Sequence, residues 1–242
     1  MKDRYRSLHH KHDPESIQKR LDASPKSLLR DFVYGGIDGG VTTFAIVAGV
    51  VGANLETRTV LILGIANILA DGFSMASSNY LGTKAEIEEK NLIAKYEEEQ
   101  IEINPEGETE EIRQIFLNKG LDGEALENIV KRITSNRKEW LKIMLSEEYG
   151  HGNIIQSPWK AGMMTFTSFL LFGFIPLLPY FFDIENRFAM AIVSTGIAFF
   201  GVGAFKSKWT RTSPWLSGLE TLAIGSVAAA LAYYVGKFLA GE

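Results

Sequence analysis

An all-α membrane protein is predicted: five transmembrane helices, with a helical insert on the cytoplasmic side between the second and the third. Three observations carry that expectation. The 242-residue chain contains five long apolar runs, each near the roughly 20 residues that a helix needs to cross a bilayer. Its charge is segregated, because residues 84–157 hold 17 acidic and 10 basic side chains in a chain whose net charge is only −4. The runs are joined by short polar links everywhere except at this acidic block. A mean hydropathy of +0.02 therefore averages two unlike regions and does not describe one soluble core.

The elements follow in order. Residues 1–30 form a polar tail carrying Lys2, Arg4, Arg6, Lys11, Lys19, Arg20, Lys26 and Arg30, without the apolar stretch of a signal peptide; by the positive-inside rule the tail is cytoplasmic. Residues 31–82 hold the first two spans, 32–53 and 60–81, broken only by Asp38 and Asp71. Residues 83–158 read as four helices at about 83–101, 109–118, 124–134 and 136–149. Asn104-Pro105-Glu106-Gly107 separates the first two, and Lys119-Gly120 ends the second. Residues 159–242 hold the last three spans, 161–182, 188–205 and about 217–236, where Glu220 is the one charged side chain.

Topology follows from the loops. Lys206, Lys208 and Arg211 place the loop 206–216 with the tail, whereas the opposite loops, 54–59 and 183–187, carry one arginine each, Arg58 and Arg187. Trp159, Trp209 and Trp215 fall at cytoplasmic span ends, as interfacial anchors do. The insert is thus cytoplasmic and the C-terminus outside. With no organelle-targeting signal apparent, the cell (plasma) membrane is expected.

Composition also excludes functions. With no cysteine there is no disulfide scaffold, thiol nucleophile or thiolate metal site. A pI near 5.7 without a basic stripe excludes nucleic acid as a partner. No Ser/His/Asp set points to hydrolysis, and Gly35–Gly40 lacks phosphate-loop spacing. His9, His10 and His12 belong to the polar tail. Glu148-Tyr149-Gly150-His151 has the E-x-x-H spacing of di-iron carboxylate proteins, but those need two such motifs on facing helices.

An ionisable side chain inside a span is costly and commonly marks an ion or proton path. Asp38 lies among four glycines, Gly35, Gly36, Gly39 and Gly40, which admit a second helix closely. Asp71 lies near mid-membrane, with Met75 one turn later on the same face. Glu220 lies nearer the cytoplasmic end of the fifth span. Carboxylate oxygen with a thioether suits a divalent transition metal better than Mg²⁺ or Ca²⁺. The insert repeats that combination: Glu108 and Glu111 share a helix face, Met144 and Glu148 share another, and Glu97 ends the first helix among Glu98 and Glu99. Solvated surface is the default for most of the other acids.

The segments DFVYGGIDGGVTTFAIVAGVVG (31–52) and GIANILADGFSMASSNYL (64–81) resemble the first two spans of the vacuolar iron transporter family, and the similarity extends over roughly 26–240 through FIPLLPY (174–180). The resemblance implies five spans per subunit, a homodimer with its pathway between subunits, and proton-coupled export of Fe²⁺ or related metals from the cytosol. It places the family's intramembrane aspartate and methionine on Asp38 and Met75, and its cytoplasmic metal ligands on Glu97, Glu108, Glu111, Met144 and Glu148. Two positions depart from the plant members: Gln100 stands where they have a further glutamate ligand, and Asn67 replaces a glutamate of the second span, with Asp71 supplying a carboxylate one turn later.

The resulting expectation is a proton-coupled transporter, not an enzyme, moving Fe²⁺ and/or Mn²⁺ out of the cytosol as a lipid-embedded homodimer. Metal ions and protons are its partners, and no tightly bound cofactor is expected. Asp38, Asn67, Asp71, Met75 and Glu220 would line the path; Glu97, Gln100, Glu108, Glu111, Met144 and Glu148 would form the metal-binding insert. A membrane-tethered iron oxidase and a metal-sensing membrane protein are the alternatives.

Overall fold

A computed structural model of the chain describes residues 12–22, 28–150, 157–182, 184–207 and 212–241. His9, His10, Trp209 and His151 lie outside these residues. Among the described residues the regular structure is entirely helical, and five helices are long and apolar enough to cross a membrane. The chain divides into two compact units, Ser27–Lys84 with Ser157–Glu242, and Met1–Lys26 with Ala85–Gln156.

In the apolar unit, α2 (Leu29–Gly52) is the most enclosed span. It ends where Asn54 takes a left-handed backbone (φ 52°), a conformation asparagine tolerates. The next helix, α3, runs unbroken from Thr57 to Ile103. The third span is α7 (Pro158–Phe174), with proline opening its first turn. A 3₁₀ turn (Ile175–Leu177) and a one-turn helix α8 (Leu178–Phe181) continue it. Pro176 and Pro179, which lack the N–H that an α-ladder needs, account for the change of winding there. The last two spans are α9 (Arg187–Lys206) and α10 (Pro214–Ala240), the latter closed by Gly241 at φ 80°.

Helix α2 packs on α7, α9 and α10, and glycine is what lets it approach. A Cβ on Gly39 would strike the Phe169 carbonyl of α7, and one on Gly236 of α10 would strike the Gly49 carbonyl of α2. Backbone is therefore in contact with backbone, the geometry that small residues permit between membrane helices. Phe44, Val47, Val60, Ile68, Leu177 and Ala191 build the core around these contacts.

In the acidic unit, α3 ends at Ile103 and α4 (Pro105–Asn118) starts two residues later. Asn104 caps α4 by accepting from the Gly107 N–H at 3.1 Å. Then come α5 (Gly123–Thr134) and α6 (Arg137–Glu147), the second capped by Asn136, which accepts from the Glu139 N–H. Ile101, Ile112, Leu126, Val130, Trp140 and Met144 form this unit's own core. The tail contributes α1 (Pro14–Asp22), capped by Asp13 accepting from the Ser16 N–H at 2.9 Å.

Several expected boundaries change, the first and fifth spans each starting three residues earlier than expected, at Leu29 and Pro214. The second span and the first insert helix are one helix, because Gly82 is exposed and lowers helix propensity without blocking a hydrogen bond. The break between insert helices narrows to Asn104, since Pro105, Glu106 and Gly107 are already inside α4. The third span starts three residues earlier, at Pro158, and turns 3₁₀ before its end.

Candidate functional site

The acidic unit gathers carboxylates from three helices. Glu97 comes from α3, Glu108 and Glu111 from the start of α4, and Glu148 from the residue that caps the C-terminal end of α6. One carboxylate oxygen from each of Glu97, Glu111 and Glu148 lies within 4.8 Å of the others. An ion with oxygen ligands at about 2.0–2.6 Å spans that distance. Glu97 and Glu108 are buried, at 2% and 6% exposure, while Glu111 and Glu148 open to solvent. Glu108 is held in the first turn of α4 by the Asn104 cap, where the helix dipole favours negative charge. Its Oε2 atom is buried and accepts no hydrogen bond.

Several of the unit's other carboxylates carry ion pairs. Arg113 pairs with Glu110 and Glu127, Arg137 with Glu102, Lys119 with Glu147, Lys95 with Glu99 and Lys142 with Glu139. Among the described residues no basic side chain forms a salt bridge with Glu97, Glu108, Glu111 or Glu148. The cost shows in their protonation. Burial, then repulsion from Glu111, Glu97 and Glu148, pushes Glu108 up to about 7. Burial and repulsion from Glu97 raise Glu111, and burial with repulsion from Glu111 and Glu97 raises Glu148. Four carboxylates facing one another without a counter-charge are an arrangement that a bound cation would neutralise.

The other two expected insert ligands stand differently. Met144 is fully buried in the hydrophobic core, one helical turn before Glu148. Gln100 is half-buried on α3, three residues beyond Glu97. Neither contributes a carboxylate to the cluster of Glu97, Glu111 and Glu148. The site also contains a residue that sequence reasoning passed over. The Tyr149 hydroxyl donates to Glu97 Oε1 at 2.6 Å, and hydrogen bonding to Glu97, then burial, holds that phenol protonated above its usual range.

In the apolar unit, Asp38, Asn67, Asp71 and Met75 are all half-buried. Asn67, Asp71 and Met75 follow at four-residue intervals on α3 and so share one face. The Asn67 amide donates to the Thr42 hydroxyl at 3.3 Å, and that hydroxyl donates to the Asp38 carbonyl at 2.9 Å. Asp38 and the second-span polar residues thus face each other between α2 and α3. Glu220 is 62% exposed and pairs with Lys206 at 3.4 Å.

A second polar cluster was not legible as one. Asp31 is 1% exposed and accepts from the Asn79 amide at 3.0 Å, and that amide also reaches the Thr165 hydroxyl at 2.7 Å. These residues tie α2, α3 and α7 together. Asp31 stood just outside the expected first span, and neutral asparagine and threonine gave no charge signal.

Comparison with known proteins agrees with this architecture. The profile described as the VIT family matches residues 29–237. The vacuolar iron transporter of Plasmodium berghei is 35% identical over 96% of this chain and 89% of its own length. Vacuolar iron transporter 2 of Oryza sativa is 32% identical over 92% of this chain and 91% of its own length. For vacuolar iron transporter 1 of Arabidopsis thaliana the figures are 33%, 87% and 85%. With a profile match across nearly all of the helical chain and relatives above 30% identity along most of it, the chain belongs to the VIT family.

Proposed function

We propose that this protein is a proton-coupled transporter that moves Fe²⁺ and/or Mn²⁺ out of the cytosol. The observation that carries the reading is the unneutralised carboxylate cluster of Glu97, Glu108, Glu111 and Glu148. The relatives named vacuolar iron transporters support the choice of metal. In this reading the insert faces the cytosol and concentrates the ion, with Met144 and Gln100 as softer or neutral contributors. The tail also faces the cytosol, and the membrane is the cell membrane.

Inside the bilayer, Asp38 and Met75 hold the ion, and Asp71 with Asn67 flanks them. A carboxylate that takes up a proton loses its attraction for the metal, so protonation from the far side releases the ion and deprotonation on the near side resets the site. Two subunits supply the pair of Asp38 and Met75 residues, and α10, the least enclosed of the five spans in a single chain, is left facing lipid or the second copy.

The test is flux of Fe²⁺, Mn²⁺, Co²⁺ and Zn²⁺ in proteoliposomes, with and without a pH gradient, under anaerobic conditions. Metal movement that accelerates with an opposing proton gradient is the expected result. Oxygen consumption with no flux would replace the reading with an iron oxidase. Binding without flux would make it a sensor.

A further inference from the structure

We propose that Tyr149 is a positioning residue that fixes Glu97 in a one-oxygen binding mode and so favours small transition-metal ions over Ca²⁺. The inference rests on the reading of the carboxylate cluster as a metal site. Glu97 is 2% exposed, and a buried carboxylate with three side-chain torsions needs a partner to hold one orientation. Tyr149 provides it from 52 residues along the chain, at 2.6 Å, within the range of charge-assisted O–H···O⁻ bonds.

The local backbone makes the reach possible. Helix α6 ends at Glu147, Glu148 caps it, and Gly150 turns the chain at φ 68°. Two consecutive residues therefore serve one site: Glu148 brings an oxygen to the cluster, and Tyr149 brings a hydroxyl to the neighbouring carboxylate.

The chemical consequence concerns denticity. With one lone pair of Oε1 committed to the phenol, that oxygen is a poorer ligand, and Glu97 offers an ion chiefly Oε2. Ca²⁺ takes six to eight oxygens and commonly gathers them through two-oxygen carboxylates, whereas smaller ions are content with fewer. Outer hydrogen-bond partners of this kind typically alter metal affinity by about 10- to 100-fold.

The experiment uses the full chain in detergent carrying Asp38→Asn, so that binding reports on the insert, and titrates Mn²⁺ and Ca²⁺ by calorimetry. Tyr149→Phe should lower the unfolding midpoint of the metal-free protein modestly, because buried Glu97 loses its donor, and weaken Mn²⁺ binding about tenfold or more. Ca²⁺ binding should hold or improve, so the Mn²⁺/Ca²⁺ affinity ratio falls. Tyr149→His, which retains a ring N–H donor, should recover part of that ratio. An equal loss of both ions, or no loss of either, would overturn the proposal. Glu111→Gln separates the two levels. If it leaves Mn²⁺ binding intact, the cluster is not the metal site and the role of Tyr149 falls with it; if it abolishes binding while Tyr149→Phe does nothing, only the role of Tyr149 fails.

Discussion

Glu108 shows how a single residue couples the insert to pH. Its carboxyl titrates near 7 in the folded chain against an ordinary 4.5, so between those values the native state holds more protons than the unfolded one. Stability of the metal-free insert therefore falls as pH rises from about 4.5 to 7. In the proposed reading metal binding runs the other way, because an ion held by Glu108 would displace that proton. In the Asp38→Asn chain, Mn²⁺ affinity should rise on the order of 10-fold between pH 5.5 and 7.5, and Glu108→Gln should flatten the rise and lower the plateau. A flat profile in the parent chain would remove Glu108 from the site. Met75 makes a second test at this scale. Met75→Leu keeps volume and apolarity, so stability should change by less than about 1.5 kcal/mol, while flux of Mn²⁺ relative to Mg²⁺ should drop. Unchanged selectivity would make Met75 a packing residue. The carboxylates of the site were nameable from residue type, helical spacing and family resemblance. The burial of Glu108 and the Tyr149–Glu97 contact were not, because both depend on how α3, α4 and the end of α6 come together.

At the scale of elements, glycine has opposite meanings in different places. Gly39 lies against the α7 backbone, and a Cβ there would meet the Phe169 carbonyl. Gly82 lies in α3 with nothing within 4 Å of the position a Cβ would take. Gly39→Ala should cost about 1–3 kcal/mol through overpacking. Gly82→Ala should gain up to about 1 kcal/mol through helix propensity. Reversible unfolding in detergent measures both, and a destabilising Gly82→Ala would overturn the propensity argument for that position. The same pair explains what was legible. Five long apolar runs with few charges announce spans in sequence, and four glycines around Asp38 announce a close helix approach. The continuity of α3 past residue 82 was not announced, since a glycine where apolar sequence gives way to charge looks the same whether the helix stops or goes on. Pro176 and Pro179 were within the expected third span, but where the α-ladder yields to a 3₁₀ turn depends on local hydrogen bonding.

For the whole molecule, the decisive question is whether one chain or two make the path. In a single chain Asp38, Asp71 and Met75 stay half-buried, and one thioether with two carboxylates is a thin coordination shell for an ion stripped of water. A two-fold axis beside α2 and α3 would double that set without any new residue, as isologous contacts do. Large apolar side chains such as Phe73, Leu81 and Trp159 remain exposed in the single chain, at 68%, 60% and 68%, so lipid or a second copy has surface to cover. Mixing discriminates the arrangements. Asp38→Asn alone should abolish flux while leaving metal binding by the insert intact, because Asp38 belongs to the apolar unit and the carboxylate cluster to the other. When equal amounts of wild-type and Asp38→Asn chains are co-assembled at random, a shared path that needs both aspartates leaves about a quarter of the full flux, and independent paths leave about half. Proteoliposome flux across a series of mixing ratios reads the difference as a curve or a straight line. A straight line would place the path within each subunit and require its remaining ligands to be found among the residues of one chain.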